Sequence, residues 1–257
     1  MSSNDSIKKT LIVAFSLCIV CSVIVSTAAV MLKPAQEVNK TLDRKRNILA
    51  AAGMLQEGVS VEEQFSQVTP RVVDLRSGRF ADDVDPDRYD QRKAAKDPDG
   101  SERLSAEQDQ AKISRREHYA IVYLVEDASG DIDKVILPLH GAGLWSTLYG
   151  FIALESDGNT VAGLGFYEHG ETPGLGGEVD NPRWKAFWPG KQVYRDGEVS
   201  IGLIKGSVIP GNPNEPWQID GLAGATLTAN GVTNLVQFWL GENGFQPFLS
   251  NLKTGEA

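Results

Sequence analysis

Residues Tyr119 to Asp127 read YAIVYLVED, and four runs of the same character follow: KVILPLHG (134–141), LYGFIALESDG (148–158), TVAGLGFYEHG (160–170) and VSIGLIKG (199–206). Val, Ile, Leu and Tyr dominate them, the residue types that suit a pleated, half-buried surface. Several close on Gly or Asp-Gly, which supply tight turns. The connections are short, which implies mainly antiparallel pairing. NPRWKAFWPG (181–190) predicts an intervening helix, with Asn181 as its cap and Pro182 at the first helical position. The expectation is an α+β domain, a mainly antiparallel sheet with flanking helices.

Outward from these strands the chain changes character. Residues 76–117 are rich in charge and poor in large apolar side chains, and read as a surface excursion with short helices, either a solvated face or a docking arm for a partner. Further upstream, Leu11 to Leu32 (LIVAFSLCIVCSVIVSTAAVML) contains no Asp, Glu, Lys or Arg. At about 1.5 Å per residue it is long enough to cross a bilayer core of about 30 Å. A cleaved signal peptide is the alternative, but its apolar core is ordinarily only about 7–15 residues. Lys8 and Lys9 precede the run while Lys33, Lys40, Arg44, Lys45 and Arg46 follow it, so charge bias leaves orientation open. Val38, Leu42 and Leu49 then recur at helical spacing and predict a stalk helix stopping at Gly53.

Composition narrows the function. A chain of 257 residues with 41% hydrophobic content builds a packed core. Its net charge of −9 argues against a nucleic-acid partner. Both cysteines, Cys18 and Cys21, lie inside the apolar run, leaving the globular part without disulfide or thiolate. His118, His140 and His169 lack partners at metal-ligand spacing, so no metal is expected. No GxGxxG opens a helix after a strand, which leaves no NADH site.

The chemistry-bearing stretch is DGLAGATLTANGV (220–232). Beyond it Val232, Leu235, Val236, Trp239 and Leu240 recur on one helical face, so a helix begins at the loop. Its first N–H groups lack intrahelical acceptors and carry the positive end of the dipole, and Gly221 and Gly224 let a backbone approach closely, which suits a phosphate. Alternatively, Thr226 or Thr228 simply caps the helix.

DGLAGAT resembles the flavinylation motif of the FMN-binding domain family, in which the closing threonine carries FMN through a phosphoester bond. The resemblance implies covalent FMN on Thr226, with Gly224, Ala225, Leu227 and Thr228 around it. Ala223 departs from the Ser or Thr usual in the family, a change bearing on recognition by the flavin transferase and not on the acceptor. The N-terminal span, YDQRKAAKDP (89–98), LPLHGAGLW (137–145), GETPGLGGEV (170–179) and the threonine loop together make nearly the whole chain similar to the C-subunit family of sodium-translocating NADH:quinone reductases. The related G-subunit family of Rnf electron-transport complexes shares the threonine loop and ETPGLG but not the 89–98 segment.

That resemblance implies an electron-carrier subunit of a sodium-pumping NADH:ubiquinone oxidoreductase, with the other subunits, a flavin transferase and membrane lipid as partners. It implies a single pass through a bacterial inner membrane with the flavin domain on the periplasmic side. The chain is expected to divide into a cytoplasmic N-terminus (1–10), a transmembrane helix (11–32), a helical stalk and entry to the domain (33–75), the charged excursion (76–117) and an FMN-binding domain (118–257). It also implies flavin contacts at Glu171, Thr172, Leu175 and Gly176. Trp145 stacks on the ring or fills the core, and Lys205 meets the phosphate or the reduced ring's charge or is a solvated lysine at a strand end. A non-redox anchored module that binds a phosphate-bearing ligand reversibly is the competing class.

Overall fold

The computed structural model describes residues 6–257, in two compact units that divide between Asp43 and Arg44. Helix α1 (Ile7–Ala51) runs through both segments of sequence, with Pro34 inside it. The stalk helix and the apolar run are therefore one element. In the first unit the apolar side chains are exposed, Leu17 at 62% and Ile24 at 63% among them. Its most apolar window has a mean hydropathy of 2.6, and α1 is the one described helix long and apolar enough to cross a membrane.

In the second unit the chain forms α2 (Val61–Phe65), β1 (Val68–Asp74), β2 (Arg79–Phe80) and α3 (Gln91–Ala94). A short pair follows, β3 (Ser101–Arg103) with β4 (Arg115–Glu117), then the long strands β5 (Tyr119–Glu126), β6 (Ile132–Ala142), β7 (Thr147–Glu155) and β8 (Val161–Glu168). Helix α4 (Pro182–Lys185) begins at the expected cap, where the Asn181 side chain accepts from Arg183 N. Small pairs β9 (Tyr194–Arg195) with β10 (Glu198–Val199) and β11 (Gly202–Leu203) with β12 (Gln218–Ile219) precede α5 (Thr226–Leu240) and α6 (Gln246–Thr254).

The main sheet has the order β2-β1-β5-β6-β7-β8 and is antiparallel throughout. Successive side chains of a strand point to opposite faces. Accordingly Val135, Leu137 and Leu139 of β6 join the core beneath α5, whereas Ile136 faces the other layer with Ile121, Tyr123 and Phe151. The expected α5 face is fully realised: Val232, Leu235, Val236, Trp239 and Leu240 are all 0% exposed. Trp239 Nε1 donates to the His140 carbonyl at 2.7 Å, tying α5 to β6. The opposite layer is closed by Ile48 and Leu49 from the end of α1.

The second unit takes in segments on both sides of the expected strand run. Val68–Asp74, in the expected entry to the domain, pairs along its whole length with β5, from Val68↔Val125 to Asp74↔Tyr119. The charged 76–117 segment also folds into the second unit, contributing β2, α3, β3 and β4. Pro70 and the polar flanks mask β1 as a strand in sequence, since Pro disfavours sheet interiors.

Candidate functional site

Thr226 occupies the first turn of α5, preceded by Ala225 in a non-helical conformation and by Gly224 at φ 70°. A positive φ is readily adopted by glycine alone, so Gly224 sets the turn that delivers the threonine. Thr226 is exposed, and its hydroxyl makes no hydrogen bond among the described residues. It does not cap. The first-turn N–H groups around it have no intrahelical acceptors and favour negative charge.

Thr228 behaves differently. It is 0% exposed, and its Oγ1 donates to Glu171 Oε2 at 2.6 Å. It therefore does not cap α5; its hydroxyl is engaged within the core. Glu171 is the hub. Its carboxylate also accepts from the backbone N–H groups of Leu144 (3.2 Å), Trp145 (2.9 Å) and Ser146 (3.3 Å). Burial works against its ionisation, but the Thr228 hydroxyl and the three N–H donors outweigh it and hold the carboxyl below its usual range. At 5% exposure, Glu171 is turned inward, where it ties the three loops together.

Three loops meet at this carboxylate: 143–146 between β6 and β7, 170–176 after β8, and the start of α5. Gly170 N donates to Ser146 Oγ at 2.6 Å, and the Thr172 carbonyl accepts from Leu175 N (3.1 Å) and Gly177 N (2.9 Å), which folds the second loop back on itself. A Cβ on Gly176 would lie 2.5 Å from Thr228 Oγ1 and 2.7 Å from Glu171 Oε2. Gly176→Ala is therefore expected to cost about 1–3 kcal/mol through overpacking. Urea denaturation measures it, and an unchanged midpoint would mean that the carboxylate and hydroxyl have slack.

Above the buried hub lies an exposed apolar set: Leu144 (45%), Trp145 (70%), Leu175 (44%) and Leu227 (61%). Leu175 reaches the threonine loop, since its Cδ2 is 3.1 Å from where a Cβ on Gly224 would stand. Trp145 fills no core. Lys205 is exposed on the turn whose next residue, Gly206, accepts the Gly221 N–H at 2.8 Å, and it has no ion pair among the described residues. Thr172 is exposed, whereas Gly176 and Ala225 are buried. Sequence reading missed Leu144 and the Ser146 N–H; an apolar residue beside Trp145 in a glycine loop was the available signal.

The FMN-binding domain family model matches residues 143–241, the stretch that holds the three loops and the exposed Thr226 hydroxyl, and assigns the site to the FMN-binding domain class. The chain is 56% identical over 262 residues to the C subunit of the Na(+)-translocating NADH-quinone reductase of Pseudomonas aeruginosa, covering all of both chains. It is 52% identical over 257 residues to the C subunit of the Vibrio anguillarum enzyme, covering 99% of this chain and 98% of that one. It therefore belongs to the C-subunit family of Na(+)-translocating NADH-quinone reductases. The crystal structure of Shewanella oneidensis NqrC superposes with a TM-score of 0.76 at 38% identity, covering 82% of this chain and 97% of the other.

Proposed function

We propose that the protein holds FMN covalently, through a phosphoester to Thr226, and relays single electrons as the membrane-anchored subunit of a sodium-translocating NADH:quinone reductase. The observation that carries this reading is the contrast between two threonines on one helical turn: Thr228 is locked to Glu171, and Thr226 is exposed with its hydroxyl free. A phosphate bonded there sits at the positive end of α5. Lys205, exposed on the turn that bonds to Gly221, supplies a cation with no ion pair among the described residues. Leu144, Trp145, Leu175 and Leu227 present the apolar surface that a flat ring requires. When bound, FMN supplies reversible electron storage, and the protein supplies position, shielding and charge.

The protein's own contribution is rigidity. Glu171 fixes the backbone from Leu144 to Ser146 and the Thr228 side chain together, so the apolar wall and the attachment point keep one geometry. Attachment through phosphate leaves the ring chemically unaltered, and the linkage serves retention. The reading places α1 in a bacterial inner membrane, the second unit on the periplasmic side, and the other subunits, the flavin transferase and lipid as partners.

Expression with and without a flavin transferase tests this. Denaturing electrophoresis is expected to show an ultraviolet-fluorescent band with the transferase and a dark band of folded protein without it. Fluorescence in both cultures, or in neither, would overturn the covalent reading, and flavin lost on denaturation would support the reversible binding module.

A further inference from the structure

A cavity of about 480 Å³ lies over β6 and β7, lined in part by His140, whose ring is 4.8 Å from that of Trp239. Strand alternation places Pro138, His140, Thr147 and Tyr149 along it, and the 87–96 segment, whose composition is that of a solvated excursion, folds over them. Tyr89 Oη donates to the Tyr119 carbonyl at 2.8 Å, and the Gln91 side-chain carbonyl accepts the Ile121 N–H at 3.0 Å, so this covering is fastened to β5.

The floor holds two polar side chains with unused capacity. Glu117 is 0% exposed. Its Oε1 accepts from Gln91 Nε2 at 2.6 Å, while Oε2 has no hydrogen-bond partner among the described residues. That oxygen lies 4.0 Å from His140 Nε2, and neither ring nitrogen of His140 makes a hydrogen bond among the described residues. A buried polar atom left unsatisfied carries its desolvation cost uncompensated. The wall is aromatic and rigid. The Arg92 guanidinium sits 3.6 Å from the Tyr149 ring centre and donates to Glu168 Oε2 at 2.8 Å and to Tyr167 Oη at 3.2 Å.

The rim reverses the protein's charge. Arg88, Lys96 and Lys112 line the opening, all exposed and without an ion pair among the described residues; Asp87 and Asp90 are the acids there, and Asp90 is engaged in capping α3. In a chain of net charge −9, such a rim favours an anion. We propose that this cavity binds a small hydroxylated anion, the phosphate ester of a glycerol-like polyol, with a hydroxyl between Glu117 and His140 and the phosphate at Arg88, Lys96 and Lys112. Water alone satisfies the floor and leaves the rim unused; inorganic phosphate does the reverse. Burial raises Glu117 to about 7, against the lowering influence of the Gln91 hydrogen bond. Burial, aided by Arg92, lowers His140 to about 4. Near neutral pH the floor therefore both donates to and accepts from a hydroxyl.

Isothermal titration of the full chain in detergent, with glycerol 3-phosphate as the probe and glycerol and inorganic phosphate in parallel, tests the proposal. Saturable binding is expected for glycerol 3-phosphate, with each half at least tenfold weaker. The surface pair Lys96→Ala/Lys112→Ala is expected to weaken binding at least tenfold without changing the melting temperature. Glu117→Leu, which removes the floor hydroxyl's partner, is expected to bring glycerol 3-phosphate down to the level of inorganic phosphate. Repeating the titration in nanodiscs identifies the source: loss of apparent affinity in phosphatidylglycerol discs, abolished by the lysine pair, assigns the lipid headgroup, and undiminished affinity assigns a soluble ester. Absence of saturable glycerol 3-phosphate binding, or equal binding by wild type and the lysine pair, would show a cavity for water only.

Discussion

Thr226→Ala is expected to abolish in-gel flavin fluorescence entirely while leaving the melting temperature within about 1 °C of wild type. The first effect is all or none because no other hydroxyl in the loop is available: Thr228 is 0% exposed and bonded to Glu171. The second follows from exposure, since an exposed side chain without hydrogen bonds contributes little to folding. Thr228→Ala gives the mirror pattern. It removes a buried hydrogen bond to a charged group, worth about 1.5–3 kcal/mol, and retains part of the fluorescence because the acceptor survives. Equal loss of fluorescence in both variants would remove Thr226 as the attachment point, and full fluorescence in Thr226→Ala would do so more directly.

Glu171→Ala is expected to produce the largest loss of stability of any single change in the site. It leaves three backbone N–H groups and the Thr228 hydroxyl without their acceptor. Donors stranded in a partly buried site cost up to about 1–3 kcal/mol each. Water entering the vacated space recovers part, so a net loss of about 3–5 kcal/mol is expected, a fall of about 10 °C in Tm for a unit of this size. Flavin attachment should fall with it, because the three loops lose their common anchor. Glu171→Gln keeps the shape and one acceptor oxygen, and isolates the charge. The folded carboxyl titrates below its ordinary value of 4.5, so its stabilising contribution is complete above that value and disappears as pH falls through the folded one. The stability gap between wild type and Glu171→Gln should therefore be constant near neutrality and shrink below about pH 4.5. A gap independent of pH down to about 3 would show that the charge carries no weight.

Periodicity made α5 legible: five apolar positions on a 3.6-residue period placed its buried face and, by continuation, its start at the threonine loop. The long strands were legible because β-branched and aromatic runs end on glycine turns. Val68–Asp74 was not, because Pro70 reads as a breaker, and its tolerance depends on which backbone N–H groups the neighbouring strand needs. The pairing of Thr228 with Glu171 joins positions 57 residues apart, and no spacing rule distinguishes a hydroxyl turned inward from one turned outward two residues earlier. The cavity above Glu117 was equally hidden. Its lining comes from α3, β4, β6, β7 and β8, each of which looks ordinary alone, and the charged segment that closes it has the composition of a solvated surface.

The β6–β7 hairpin pairs Val135 with Leu154, Leu137 with Ile152 and His140 with Tyr149, and adjacent residues of one strand serve opposite faces. Leu139 joins the core beneath α5, while His140 packs its ring against Tyr149 and Trp239, with one peptide bond between them. Removing a single residue from β6 would turn every later side chain of the strand over and exchange the surroundings of Leu139 and His140. Substitutions here are absorbed one site at a time, whereas a change of length damages both faces at once. Between Val135 and Leu154, natural variation in this lineage should consist of exchanges of residue type, with insertions and deletions confined to the 143–146 turn.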